Sequence, residues 1–183
     1  MALGALFCMA CAEPPDREMQ QAKGAIDAAR AAGADRYAHD EFVAAEDALK
    51  ESEEAVVARD YRLALSHALD ARERAQNAAM LAADNKAIAR ADADRALVAA
   101  LAALNDAHTK LEKAEGARPV PKSLAEWQKT VADADAAVQE ARTRFEAGEY
   151  LTVVDAMRPL PERLRAIVDA IDALPPPPPR RRR

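Results

Sequence analysis

The sequence predicts an all-α protein, an elongated antiparallel helical bundle in which two three-helix bundles share one long central helix. Three observations predict it. Alanine, the strongest helix former, supplies 48 of the 183 residues, whereas glycine supplies 5. Apolar residues recur at steps of three and four along almost the whole chain, the spacing of one helix face. No proline or glycine interrupts residues 61–115, a run about twice as long as its neighbours. Val, Ile, Leu and Phe together number only 33, a fraction low enough to suggest disorder. The net charge of −5 is modest, however, and the charged residues, 31% of the chain, mix both signs. That balance suits thin, closely packed helices better than an unfolded chain.

Residues 1–11 form a separate segment. Met1 to Ala10 is apolar throughout and gives way sharply to Cys11-Ala12-Glu13-Pro14-Pro15. Ten apolar residues cannot span a bilayer, which needs about 20, but they match the apolar region of a secretory signal. No basic residue precedes them, so the recorded start is expected to cut into a longer signal. Both cysteines, Cys8 and Cys11, lie here. The segment resembles a bacterial lipobox with Cys11 as the lipidated residue, because small Ala10 precedes it and a proline-containing tether follows. The departure is Cys8 where that motif prefers leucine. A redox or metal pair is the competing reading of Cys8 and Cys11, and an unprocessed apolar terminus is the third. A redox or metal pair would need a βαβ context or a second ligand pair, and the sequence has neither.

The body follows as helix after helix. Met19, Ala22, Ile26 and Ala29 mark a helix over 16–32 that Gly33 ends. Asp40 is a candidate cap for a helix over 41–58, with Phe42, Ala45, Leu49, Ser52 and Val56 on its buried face. A tight turn at Arg59-Asp60 opens the long helix, whose second half carries the stripe Leu97, Leu101, Leu104, His108 and Leu111. Asp84-Asn85-Lys86 is its weakest stretch for helix propensity, a place where it can bend. These elements make a first domain over 12–117, followed by a proline-bearing linker at 118–122. Ser123 and Glu126 read as a capping box. The helix over 123–147 then bears Trp127, Val131, Ala134, Val138, Ala141 and Phe145. Gly148 ends it. A last helix over 149–174 must kink or split at Pro159 and Pro161. Short links make successive helices antiparallel, so each half of the long helix has two partners. Residues 175–183, five prolines and four arginines, form an extended low-complexity tail.

An internal echo runs through this pattern. Glu41-Phe42 through Ala58-Arg59-Asp60-Tyr61 resembles Glu126-Trp127 through Ala147-Gly148-Glu149-Tyr150, the second copy longer by about one helical turn. An acidic-Tyr turn before an alanine-lined helix is similar to tetratricopeptide helix pairs. The 34-residue period of that family is absent, which points to convergent helix hairpins.

The residues suggest no reaction. His39, His67 and His108 are far apart and no Glu-x-x-His pair occurs, so no metal site is expected. The five glycines cannot form a phosphate loop. Glu51, Glu53 and Glu54 read as a solvated helix face, and Trp127 and Phe145 as packing anchors. No cofactor, catalytic residue or small-molecule substrate is therefore expected. Without the last four arginines the chain has 22 basic against 31 acidic residues, a balance of −9, which excludes nucleic acid along the body. Arg180, Arg181, Arg182 and Arg183 are candidates for contact with an anionic surface.

From Cys11 to about Gln76 the chain is similar to a domain-of-unknown-function family of bacterial envelope lipoproteins, sometimes fused to OmpA-like peptidoglycan-binding domains. The residues that carry the resemblance are the lipobox cysteine and proline tether, Ala28-Ala29-Arg30-Ala31-Ala32-Gly33-Ala34, Tyr37-Ala38, Ala44-Ala45-Glu46-Asp47-Ala48-Leu49 and Asp60-Tyr61-Arg62-Leu63-Ala64. The resemblance implies a helical periplasmic domain on a lipid anchor and no activity. Ala12 after the cysteine resembles the outer-membrane sorting choice. The expected function is a non-catalytic scaffold, spacer or adaptor that partners a membrane through its lipid and an envelope protein through its helices. A cytoplasmic coiled-coil interaction protein is the first alternative, a helical metal carrier or enzyme the second.

Overall fold

The computed structural model describes residues 13–116 and 122–174, and every described element is helical. In order these are α1 (Asp16–Ala32), α2 (Ala34–Tyr37), α3 (His39–Val57), α4 (Tyr61–Glu115), α5 (Leu124–Glu146), α6 (Tyr150–Met157) and α7 (Leu160–Asp172). The predicted fold class holds: α4 is one unbroken helix, and the chain divides within it into two compact units, after Lys86.

In the first unit α1 runs parallel to α4 and α3 runs antiparallel to both. Ala22, Ala48 and Ala71 meet in one cluster, Arg72 donates to Gln21 Oε1 at 2.7 Å, and Ser52 Oγ donates to the Ala64 carbonyl at 2.8 Å. The seam that α4 contributes is alanine alone: Ala64, Ala68, Ala71, Ala75, Ala78 and Ala82 are all fully buried. Their steps of 4, 3, 4, 3 and 4 are a heptad rhythm that keeps one face toward its partners. Ser52, at 0% exposure, is the buried polar residue of this core, and its bond to Ala64 satisfies the hydroxyl. On α3 the buried line is Phe42, Ala45, Ala48, Ser52 and Ala55. The predicted Leu49 and Val56 are only half-buried beside it, because the small residues occupy the point of closest approach.

The second unit repeats the plan with larger residues. The rest of α4, α5 and the α6–α7 pair enclose a core that includes Leu97, Leu104, Leu111, Val131, Val138, Met157 and Leu164. Val153, Met157, Leu160, Leu164, Ile167 and Ile171 are buried with the same steps as the six alanines, each 89 positions after its counterpart. The seam continues across the break between α6 and α7. Pro159 supplies no N–H and serves as the N-cap of α7, with Pro161 in its first turn.

The turns match as well. After α3, Arg59 takes φ 59° and donates its N–H to the Val56 carbonyl, while the Asp60 N–H reaches back to Ala55. After α5, Gly148 takes φ 79°, donates to Phe145, and Glu149 reaches back to Arg144. Both are Schellman motifs, which satisfy the last carbonyls of a helix through one left-handed residue. The sequence echo is therefore a structural one, and Arg59 stands where its counterpart is glycine.

Several predicted details differ. The link after Gly33 is itself one helical turn, α2. Asp40 is not the cap of α3, since the helix begins at His39 and the N-cap is Ala38 without a side-chain bond. Its carboxylate sits in the first turn instead, favourable against the helix dipole. Ser123 and Glu126 form no capping box: Ser123 has φ −80° and ψ −2°, helical angles that do not present its hydroxyl to the amides beyond. The residue that does cap is Asp60, whose Oδ1 accepts from the Leu63 N–H at 3.0 Å. On the second half of α4 the buried face passes through Ala100 and Ala107, not Leu101 and His108. Leu101 is half-buried and His108 exposed, because the seam steps 97, 100, 104, 107 and 111 follow the heptad one position earlier.

Two outcomes follow from this packing. A left-handed backbone costs a non-glycine residue roughly 1 kcal/mol, so Arg59→Gly should raise stability by about 0.5–1 kcal/mol and lift the thermal midpoint by a few degrees. At paired seam positions the two units should respond oppositely to size. Leu164→Ala should cost about 2–5 kcal/mol by opening a cavity. Ala75→Leu should also cost, about 1–3 kcal/mol, because the alanine seam has no room for it. Urea unfolding of each variant measures both, and a stabilising Ala75→Leu would show that the seam is loosely packed.

Candidate functional site

The site residues predicted from sequence lie outside the described residues: Cys8, Cys11 and Arg180 to Arg183 carry no structural description. The described residues that follow Cys11 in sequence open the body. Glu13 and Pro14 lead to a buried Pro15, and α1 begins at Asp16. The Met19 N–H donates to the Pro15 carbonyl, which holds the tether to the helix start.

The same end of the first unit carries the α3–α4 turn, because α1 and α4 are parallel. Val57 is the last residue of α3 and is 85% exposed, the most exposed of the large apolar residues described. Arg59 and Arg62 flank Tyr61. Sequence reading missed this tip, since one valine at the end of an apolar helix face gives no periodic signal that it is uncovered. The helices nearby are laced by ion pairs. Lys23 meets Glu53 at 2.8 Å, Arg30 meets Glu46 at 2.7 Å and Asp27 at 3.0 Å, and Arg30 also lies 5.3 Å over the Phe42 ring. Lys23, Asp27, Arg30, Glu46 and Glu53 line an open groove of about 350 Å³ between α1 and α3. Glu51, Glu53 and Glu54 are exposed, as the sequence predicts for a solvated face, and Glu53 and Glu54 also form ion pairs across and along helices; with exposed partners, each pair contributes about 0–1 kcal/mol.

At the other end of the first unit, Tyr37, His39, Asp40, Glu41, Leu81 and Asn85 surround a shallow hollow of about 380 Å³. Asn85 Nδ2 donates to the Tyr37 carbonyl at 2.7 Å, so the weak spot of α4 is the place where the helix ties down the end of α2. It follows Ala82 at the seam spacing but is exposed, so the alignment it adds comes from this one bond.

The histidines stay apart, each with its own partner. His39 Nδ1 is 3.2 Å from the Asp35 carbonyl, His67 Nδ1 3.0 Å from Glu51, and His108 Nε2 3.0 Å from Asp135. Among the described residues no group of three His, Cys, Asp or Glu side chains is arranged to hold a metal ion. In the second unit Lys110 bonds Asp172, which raises the ammonium above its ordinary pKa against the opposing effect of desolvation. Arg144 is raised likewise by its bond to Glu140. Both remain cations far into the alkaline range, so these links hold at any physiological pH. Trp127 and Phe145 pack half-buried against the second core, as anchors should, and Phe145 meets Tyr150 edge to face at 5.2 Å. No described helix is long and apolar enough to cross a membrane.

Removal of the amide at Asn85 tests the tie. Asn85→Ala leaves the Tyr37 carbonyl without this donor and should cost about 1 kcal/mol. A denaturation midpoint unchanged from the parent would show that water replaces the bond without loss.

Comparison with family models, with curated proteins and with solved structures finds no match to this chain.

Proposed function

We propose that this chain is a non-catalytic, lipid-anchored helical scaffold of the bacterial cell envelope, tethered through Cys11 at the periplasmic face of a membrane and acting as a spacer or adaptor for an envelope protein. The observation that carries the reading is the apolar run Met1 to Ala10 followed by Cys11 and a proline-containing tether. Ala12 favours the outer membrane as the destination. The fold is compatible with that role: α1 starts five residues after Cys11, and polar side chains on the helix surfaces join helices to one another by ion pairs. A long helix shared by two bundles supports the spacer reading, since each residue adds about 1.5 Å along its axis. Arg180 to Arg183, which lie outside the described residues, would add attraction to an anionic surface.

Anchoring needs more than one acyl chain, because each buried methylene contributes about 0.8 kcal/mol and a single chain holds marginally. The lipid is therefore the test. Cells fed radioactive palmitate should label the protein, and Cys11→Ser should lose the label and move to the soluble fraction with its helical circular dichroism unchanged. Membrane retention of Cys11→Ser together with release of Cys8→Ser would assign the anchor to the other cysteine. Absence of label from the parent protein overturns the anchor altogether.

A further inference from the structure

We infer that the α3–α4 turn of the first unit is a membrane-contacting tip, with Val57 seated among lipid headgroups and Arg59 and Arg62 against their phosphates; this deepens the anchor reading above and rests on it. Three independent observations converge on the turn. Its apolar residue is uncovered, since Val57 is 85% exposed at the end of a helix whose other large apolar residues are at least half-buried. Its arginine stands against backbone preference. Arg59 is the non-glycine residue with positive φ among those described, and the equivalent turn of the second unit uses Gly148. Its charge is unused: the nearby Lys23 and Lys50 are paired with Glu53 and Glu54, whereas neither Arg59 nor Arg62 has an ion-pair partner among the described residues.

Position selects the partner. The pairing of Gln21 with Arg72, and of Ala22 with Ala71, sets Asp16 level with about Leu65. Tyr61 therefore stands about four residues, or roughly 6 Å, closer to the N-terminal end than Asp16 does. The five residues from Cys11 to Asp16 span at most about 18 Å when fully extended. A lipid on Cys11 thus lets the tip reach the plane that holds the anchor, and with the N-terminal end of the first unit turned toward that plane the two lie within about 12 Å. Valine, tyrosine and arginine at that height match the interface, where an apolar side chain enters the headgroup region, an aromatic ring sits across it, and guanidinium groups bind phosphate. The equivalent turn of the second unit, Glu146-Ala147-Gly148-Glu149-Tyr150, carries two carboxylates and no cation, which an anionic surface repels, whereas Val57-Ala58-Arg59-Asp60-Tyr61 sets one cation against one carboxylate and is followed by Arg62.

Depth-dependent quenching tests the contact apart from the cellular anchor. The chain with Cys8→Ser and Trp127→Phe is coupled through Cys11 to a maleimide-bearing phosphatidylethanolamine in vesicles of phosphatidylglycerol and brominated phosphatidylcholine. Val57→Trp in this background, at a solvent-exposed position that tolerates the change, should lose at least about half its fluorescence to the bromines, since interfacial side chains reach about 5–10 Å into the headgroup boundary. Leu81→Trp, about 30 Å along α4 from Tyr61, should lose none. Arg59→Glu with Arg62→Glu should return Val57→Trp to the Leu81→Trp level. Equal quenching at the two positions, or none at either, overturns the tip contact while palmitate labelling of Cys11 in cells still decides the anchor. Failure of the label removes the anchor reading itself, and the tip contact with it.

Discussion

The structure depends on one constraint: α4 must keep a single face toward partners over 55 residues. An α-helix turns every 3.6 residues, so a seam stepping by 3.5 drifts unless the partners wind with it. From Ala64 to Ala82 the buried positions step by alternate fours and threes, and Asn85 and Ala89 continue that alternation. Ala93 and Leu97 then follow Ala89 at two further steps of four, where the alternation would have placed a three. That change of step falls just beyond the division between the two units, where the seam re-aligns for a different set of partners. Alanine gives this helix high intrinsic propensity, and burial of one face adds the larger share of its stability, as it does for helices in proteins generally. Continuity of α4 therefore follows from the seam, and the seam from the order of small and large residues along it.

The two units answer that constraint differently. At six positions of equivalent spacing, one seam buries alanine and the other buries Val, Met, Leu or Ile. Each exchange of a methyl group for a larger side chain adds about two or three buried carbons, on the order of 2 kcal/mol per position. The alanine seam gives up that energy and in return lets backbones lie close, with small residues on α1, α3 and α4 facing one another at Ala22, Ala48 and Ala71. The polar surface then adds direction. Lys23–Glu53 and Arg30–Glu46 link α1 to α3, and Ser52 and Asn85 each bind a backbone carbonyl of a neighbouring helix. In the first unit alignment is held by a few specific polar bonds; in the second it is held by side-chain volume.

These differences explain what could be read from the sequence. Periodicity located α1, α4 and α5 to within a residue, because one buried face per helix leaves a mark at every turn. The break between α6 and α7 was legible because proline cannot donate its amide. The caps were not. Asp40, Ser123 and Asp60 are equally good capping residues by type, and the choice among them depends on where the preceding turn leaves the backbone: the Schellman turn at Arg59 delivers Asp60 in the capping geometry, whereas Ser123 arrives helical. His108 was placed on the seam by a stripe drawn through leucines, when the true seam passed through Ala100 and Ala107. In an alanine-rich chain the residue that marks the core and the residue that fills the surface are often the same type, so identity stops discriminating and only phase remains.

The matched turns carry this argument to its end. Two copies of one hairpin close with the same hydrogen bonds, one through Gly148 and one through Arg59. The glycine shows that the backbone needs only a residue that accepts positive φ, so nothing inside the fold requires a guanidinium there. The same holds for Val57, which ends α3 without entering the core. A position that departs from what the fold prefers is where an external demand is most visible, and strain of this kind points from an observed outlier toward function. Both departures fall at the end of the first unit where the chain from Cys11 joins α1, and at the equivalent place in the second unit neither occurs. The side chains of the α3–α4 turn are therefore left open to what lies beyond the bundle, and under the proposed anchor that surface is the membrane.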